Sequence, residues 1–287
     1  MIRVGRGDGG PELVAGRRHG SKLGVMTTLA ARTIAALRAE HDDLAAAAAA
    51  LSPDQLKGPS GASDWAVAQV FSHLGSGAEI SLATFRAGIG EAEAPESGFN
   101  QSVWDRWNAM SPEAQAAGSA ESNAALVAAL EALTPEQHET IAINPGFLPR
   151  PIPLASYAGM RLSEVVHHGW DIRVAEDPAA ALTDGSAALL AEHLGGGLSF
   201  FLGFIARPEA IREPAVVAIG ETPYRIVLDD RAHFTADPAT PTATFAGPLE
   251  SALRLLVGRL SPQHTPAAAG VTGNVTLDDL REVFPGF

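Results

Sequence analysis

Cysteine is absent from this chain of 287 residues, and its absence removes several kinds of chemistry. A protein without cysteine forms no disulfides, offers no thiolate ligand to a metal and has no thiol nucleophile of its own. Any sulfur chemistry would therefore need a thiol supplied from outside the chain.

Basic residues and long apolar runs are also scarce. The chain has 20 lysines and arginines against 33 aspartates and glutamates, a formal net charge of −13. This charge disfavours nucleic acid and anionic membranes as partners, because phosphate binding requires a basic surface. The longest apolar run, from Leu44 to Leu51, is far shorter than the ~20 residues of a membrane span. We therefore expect a soluble, cytoplasmic protein whose partners are small molecules.

The first 25 residues are rich in glycine and arginine and lack the continuous apolar region of a secretory signal. We predict a disordered tail over residues 1–25, with Met26 as an alternative translation start. The whole chain is 46% apolar and 18% charged, which is typical of globular domains with a substantial core.

Apolar residues recur at helical spacing from residue 28 to about residue 208. The pattern predicts helices over residues 33–51, 65–85, 102–133 (one or two helices), a segment that includes 161–173, and 184–204. Ser63 or Asp64 is the expected N-cap of the second helix, and Ser111 begins a further one. Four long amphipathic helices of this kind predict an up-and-down bundle, which we assign to residues 26–208.

The apolar period changes to two after residue 215. Residues 215–220, 224–229, 231–236 and 242–247 read as short strands separated by turn residues. A helix over 248–260, a strand around 271–275 and a helix over 277–284 follow. These elements predict a small α+β domain over residues 209–287.

The stretch RLSEVVHHGWDIR, residues 161–173, places four ionisable side chains in an otherwise apolar helix. Glu164 and His168 are four residues apart, so a helix directs both at one point, whereas His167 points elsewhere. A catalytic zinc site needs three protein donors and an open position. The third donor would come from another helix, and His73 is the candidate because it is the only histidine on an otherwise small and apolar face of the second helix. His41, on the inner face of the first helix, is the competitor. The resulting site would consist of two histidines and one glutamate.

Structural interpretations of the same residues remain open. A carboxylate and a histidine four residues apart are common on solvated helix faces, and an inward histidine is often a hydrogen-bonded core residue. Tyr157, Arg161 and Asp171 could form a buried polar network that fixes the helix register. The four tryptophans are predicted to be packing anchors rather than a binding platform.

Three segments together resemble the mycothiol-dependent maleylpyruvate isomerase family of DinB-like metalloproteins: SGASDWAVAQVFSHL, LSEVVHHGWDIRVA and the ending LRLLVGRL with VTGNVTLDDLREVFPGF. The likeness runs from about residue 29 to residue 287. It implies an N-terminal DinB-like up-and-down four-helix bundle that binds a divalent metal, usually zinc, and a small C-terminal α+β (sterol-carrier-like) domain. The family's metal ligands fall on His73, Glu164 and His168. Its catalytic arginine, directed at the anionic substrate or the thiol, matches Arg259 best, with Arg254 as the alternative.

The resemblance implies an enzyme that depends on zinc, or another divalent metal, and on mycothiol. The metal would hold the thiol as a thiolate, which adds to an activated double bond and either leaves again, as in an isomerase, or stays, as in an S-transferase. Tyr157 and Arg161 are expected to contact the cofactor, and Asp171 to orient a metal ligand. A metal-dependent hydrolase of the same superfamily and a non-catalytic small-molecule-binding protein are the alternatives.

Overall fold

The computed structural model describes residues 27–286. Its helices are Leu29–Ala50 (α1), Pro53–Lys57 (α2), Val67–Gly88 (α3), Phe99–Asn108 (α4), Pro112–Glu131 (α5), Pro135–Thr140 (α6), Leu154–Arg173 (α7), Asp184–Leu194 (α8), Leu202–Ile205 (α9), Leu249–Leu256 (α10) and Leu277–Val283 (α11). Its strands are Ala142–Ile143 (β1), Ile152–Pro153 (β2), Ala215–Ile219 (β3), Arg225–Leu228 (β4), Ala232–Thr235 (β5), Ala243–Ala246 (β6) and Gly270–Gly273 (β7). The predicted tail lies outside the described residues.

Four long helices build the N-terminal region. Helix α1 packs against α5 and α7, and α3 packs against the same two helices. Large apolar side chains from each helix fill the space between them, including Leu37, Phe71, Leu130 and Leu162, all at most 1% exposed. Burial of this size supplies most of the stability of such helices, because their intrinsic propensity alone is marginal.

Helices α3 and α4 approach closely where α3 carries a glycine. A Cβ atom at Gly75 would lie only 2.1 Å from the ring of Trp107, so only glycine leaves room for this indole. Trp107 is 2% exposed, and its Nε1 donates a hydrogen bond to Glu79 on α3. This contact fixes α4 beside α3.

The C-terminal region is built on a five-stranded mixed sheet with the order β5-β4-β3-β6-β7. Strands β3 and β6 are parallel, and the other neighbouring pairs are antiparallel. Buried and partly exposed residues alternate along β3 and β4, as the period of two predicts. The predicted order, helices first and a sheet with helices afterwards, is therefore confirmed as α+β overall.

Three predicted helix ends were wrong. Helix α3 begins at Val67 with Ala66 as N-cap, and not at Ser63 or Asp64, because Asp64 has a positive φ of 68° that leads the chain away from a helical start. The segment 184–204 is not one helix, since α8 ends at Leu194 and the three glycines 195–197 follow. The helix predicted over 248–260 ends at Leu256.

Strands β1 and β2 form a short antiparallel pair that the apolar pattern did not predict. They flank the proline-rich residues 144–151 that lead into α7. No single helix within residues 27–286 is long and apolar enough to cross a membrane. The segments Asp184–Leu194 and Ser199–Ile205 reach that length and apolar content only when taken together, and they are bent by 82° relative to each other. The domain boundary at residues 208 and 209 stays a prediction.

Candidate metal centre

Helices α3 and α7 bring one glutamate and two histidines together. The Nε2 atom of His73 lies 2.9 Å from Oε2 of Glu164, and Nε2 of His168 lies 3.7 Å from the same oxygen. One donor atom from each residue falls within 4.8 Å of the others, so the group could hold a metal ion. The helical spacing of four residues places Glu164 and His168 on one face of α7, and α3 supplies the third donor.

These separations fit the requirements of a divalent metal. Two ligands about 2.1 Å from a tetrahedral ion stand roughly 3.4 Å apart, which lies between the two observed donor separations. His73 and Glu164 line a cavity and remain about one-third exposed, whereas His168 is buried. The donor set of two imidazoles and one carboxylate is one that catalytic zinc sites use.

Glu164 is held in its ionised form. Burial by itself would raise the pKa of this carboxyl, but the hydrogen bond with His73 and the charges of His168, His73 and Arg161 lower it to about 2. Nε2 of His73 and Oε2 of Glu164 lie within hydrogen-bond distance, and the carboxylate accepts from the ring. A cation held by the same two atoms would replace this hydrogen bond and would require Nε2 without its proton.

His168 is oriented by a carboxylate behind it. Its Nδ1 lies 2.8 Å from Oδ2 of Asp171, a fully buried residue, so the ring donates from Nδ1 and turns the Nε2 lone pair towards Glu164. Burial would raise the pKa of Asp171, but the hydrogen bonds from His168 and Arg259 lower it below its usual range. Burial also lowers the pKa of His168, which keeps the ring neutral and able to bind a metal.

Arg259 reaches this network from the C-terminal region. Its Nε and Nη2 atoms donate to the two oxygens of Asp171 at 2.9 and 2.6 Å, and Nη1 donates to the carbonyl of Val257. The early end of α10 allows this contact, because Gly258 adopts a φ of 72° that glycine tolerates, and the chain turns there. Arg259 thus acts on His168 through Asp171. Its predicted catalytic role is not tested and stays a prediction.

Arg254, the alternative to Arg259, is engaged elsewhere. It is 2% exposed, pairs with Glu250 at 2.8 Å and lies over the ring of Trp170 at 5.1 Å. Its position is that of a buried structural arginine.

Arg161 and Tyr157 lie on the same face of α7, one and two turns before Glu164. The Nη2 atom of Arg161 donates to the carbonyl of Leu74 at 2.6 Å and to Oδ1 of Asn123 at 2.7 Å. The hydroxyl of Tyr157 donates to the carbonyl of Ser81 at 2.6 Å, and burial raises its pKa to about 12. Both side chains also line the cavity beside the metal donors. Sequence reasoning missed Asn123, which lies on α5 outside every motif.

Aromatic side chains border the donors. The ring of Trp65 lies 5.2 Å from that of His73 and 5.9 Å from that of His168. Trp65 and Trp104 are 37% and 43% exposed, so the prediction that all tryptophans are packing anchors was wrong for these two. It was correct for the buried Trp107.

Three neighbouring cavities meet at this site. A cavity of about 250 Å³ is lined by His73, Glu164 and Arg161, and a more polar one of about 450 Å³ lies on the other side of His73. The largest, about 670 Å³, does not touch the donors but shares Trp104 and Asn100 with the 250 Å³ cavity. Trp104 borders all three cavities, and His73 lines both of those that touch the donor group, whereas His168 is buried.

The remaining candidate histidines lie outside the donor group. His41, the competitor for the third ligand, is buried on α1 beside a small cavity lined by Asn123 and Val165. His167 is buried behind the site, where its Nδ1 donates to the carbonyl of Ser163 at 2.9 Å. The expectation that His167 points away from Glu164 and His168 agrees with this placement.

Comparison with known proteins identifies a family that part of this chain matches. Residues 37–173 match the family described as "Mycothiol maleylpyruvate isomerase N-terminal domain". Among curated proteins, none matches the chain significantly.

Two solved structures share the overall fold. A crystal structure of the mycothiol-dependent maleylpyruvate isomerase is similar with a TM-score of 0.58 and 16% identity, over 87% of this chain and 98% of that one. A structure of a histidine-to-alanine mutant of the same kind of enzyme gives 0.59 and 15% over the same shares. Identities this low establish the fold alone.

Proposed function

From the match of residues 37–173 to the mycothiol maleylpyruvate isomerase N-terminal domain family, we propose a metal-dependent enzyme that uses a low-molecular-weight thiol to isomerise or S-conjugate a small electrophile. The proposed metal is zinc or another divalent ion, and the proposed thiol is mycothiol. We propose further that the bundle is DinB-like, that the C-terminal sheet is sterol-carrier-like, and that the enzyme is cytoplasmic.

The observation that carries this proposal is the convergence of His73, Glu164 and His168 on one point beside a cavity that His73 and Glu164 line. A divalent ion bound there would lower the pKa of an incoming thiol, so that a thiolate exists at neutral pH. The absence of cysteine from the chain is consistent with a thiol that comes from outside.

Residues around the proposed metal have separate roles in charge, orientation and substrate contact. Glu164 supplies a negative charge that is present throughout the physiological pH range. Asp171 fixes the ring of His168, and Arg259 keeps Asp171 ionised and in place. Trp65 and Trp104 line the polar cavity beside His73, where their rings offer apolar surface to a bound substrate.

Metal analysis with matched variants tests the donor set. We expect close to one zinc ion per chain in the wild type and a loss of at least tenfold in zinc affinity for His73→Ala and for Glu164→Gln. His41→Asn is the control, because it removes the competing imidazole from α1 and should leave zinc binding unchanged. Full zinc binding by both donor variants would rule out the site.

Turnover measurements test the thiol requirement. With maleylpyruvate as the first electrophile and zinc-loaded protein, we expect turnover only when mycothiol is present. Hydrolysis of amides or esters without any thiol would instead support the hydrolase alternative. Absence of both activities in a zinc-loaded protein would favour a binding function.

A further inference from the structure

Arg161 is a buried cation without an ion-pair partner. Arg161 is only 6% exposed, yet no aspartate or glutamate within residues 27–286 lies within 4.0 Å of its guanidinium. Arg254 and Arg259, whose side chains are 2% and 9% exposed, each pair with a carboxylate. Burial lowers the pKa of Arg161 only to about 10, so its charge persists at neutral pH.

The guanidinium keeps unused hydrogen-bonding capacity on its cavity side. Only Nη2 donates within the described part of the chain, to Leu74 and Asn123, and Nε is buried without a partner. Nη1 lies against Gly77, where an added Cβ would stand 2.9 Å from it. Gly77 and Arg161 both line the 250 Å³ cavity, so the absent side chain at Gly77 leaves Nη1 next to open space.

The surroundings of this charge define what the cavity accepts. Ile80, Met160 and Phe201 supply apolar walls, while His73 and Glu164 stand at one side. The carboxylate of Glu164, one helical turn away, interacts with this charge without direct contact. A ligand that carries a negative charge would supply the direct ion-pair partner that the guanidinium lacks. A volume of about 250 Å³ is below the ~300–1,000 Å³ typical of drug-sized ligand sites, so the ligand must be compact.

We propose that Arg161 is the specificity-determining residue that binds a carboxylate of the electrophile, and that Arg259 does not perform this role. The guanidinium of Arg259 donates from Nε and Nη2 to Asp171 and from Nη1 to Val257, so its charge is already paired with a buried carboxylate. Arg161 has no carboxylate in direct contact, and its unused Nη1 lies at the cavity that His73 and Glu164 also line. This assignment rests on the proposed function, because it places the electrophile beside those donors.

Binding of an isosteric pair of probes tests the assignment without relying on turnover. Crotonate and crotonamide have nearly the same shape and differ in charge, and calorimetry can follow each on zinc-loaded and metal-free protein. Arg161→Met should weaken crotonate binding about tenfold or more and leave crotonamide within about twofold, because a charge-assisted contact is lost. Arg161→Lys should retain part of the preference. Arg86→Met, which removes an exposed charge from the end of α3, should behave like the wild type.

A second variant covers the case in which Arg161→Met does not fold. Gly77→Ala keeps the charge but places a methyl group against Nη1, and should weaken crotonate binding several-fold while zinc content is unchanged. Crotonate binding that disappears on zinc removal and is unaffected by the Arg161 and Gly77 variants would mean that the anion binds the metal, and would overturn the proposal. Failure of the proposed function is visible separately, as missing zinc or thiol-independent turnover in the wild type.

Discussion

Asp171→Asn should damage the protein in two measurable ways. The carboxylate is fully buried and accepts hydrogen bonds from His168 and from both Nε and Nη2 of Arg259. An asparagine of the same shape leaves the guanidinium of Arg259 buried without a counterion. Breaking one partner of such a pair costs ~3–5 kcal/mol, and we expect the lower end, about 3 kcal/mol, because Arg259 keeps slight exposure and its bond to Val257.

The same substitution loosens a metal ligand. Without the carboxylate, the ring of His168 loses the acceptor that fixes its tautomer and orientation. Loss of such a partner typically reduces metal affinity by ~10–100-fold, and we expect a value in that range for zinc. A purely structural role for Asp171 would lower stability and leave zinc affinity unchanged in the folded protein.

A double-mutant cycle separates these contributions. Denaturant unfolding of metal-free protein gives the stability of Asp171→Asn, of Arg259→Met and of the double variant, and zinc calorimetry gives the affinities. The double variant should be more stable than Asp171→Asn alone, because the uncompensated charge is gone. Asp229→Asn is the control: Asp229 pairs with His233 at the surface, and its loss should cost less than ~1 kcal/mol. A change below ~1 kcal/mol together with unaltered zinc affinity for Asp171→Asn would refute the reasoning.

Two further predictions concern packing and pH. Gly75→Ala should destabilise the fold by at least ~1–3 kcal/mol in denaturant unfolding, because the methyl group collides with Trp107, whereas Gly185→Ala, which meets open space, should stay within ~1 kcal/mol of the wild type. Equal stability of the two glycine variants would contradict the close contact between α3 and α4. Burial lowers the pKa of His167 to about 3, against ~6.5 in the unfolded chain. Between these two pH values, the unfolded chain therefore binds a proton at His167 that the folded protein does not bind. Stability of the metal-free protein should therefore fall as the pH drops below about 6.5, with a slope that approaches ~1.4 kcal/mol per pH unit from this group, and His167→Phe should remove that part of the slope.

The helices and strands were largely predictable because their apolar periods are strong. Buried residues at helical spacing recur along α1, and alternating burial recurs along β3, so that local sequence and tertiary environment agree. The ends of α3, α8 and α10 were not predictable in the same way. Each depends on backbone conformation or close approach, such as the contact of Gly197 with Ser156, that no period encodes.

The candidate metal site was predictable only in part. Spacing along α7 pairs Glu164 with His168, but spacing within one helix says nothing about which neighbouring helix faces it. His73 is preferred to His41 because it is the only histidine on the small, apolar face of the second helix, and the family resemblance supports that choice. The structure agrees with His73. Asn123 belongs to no sequence motif, so its role could not be predicted. It becomes visible only in the structure, where its side-chain oxygen accepts a hydrogen bond from Arg161.

The position of Trp65 gives the protein a built-in optical probe. Its indole is within ring contact distance of both imidazoles of the donor group, whereas Trp107 and Trp170 are buried away from it. An open-shell ion such as cobalt would quench nearby indole emission, so occupancy could be followed in real time without a label. Replacing Trp65 by phenylalanine would then separate the quenching of this indole from that of Trp104, which borders the same cavities as His73.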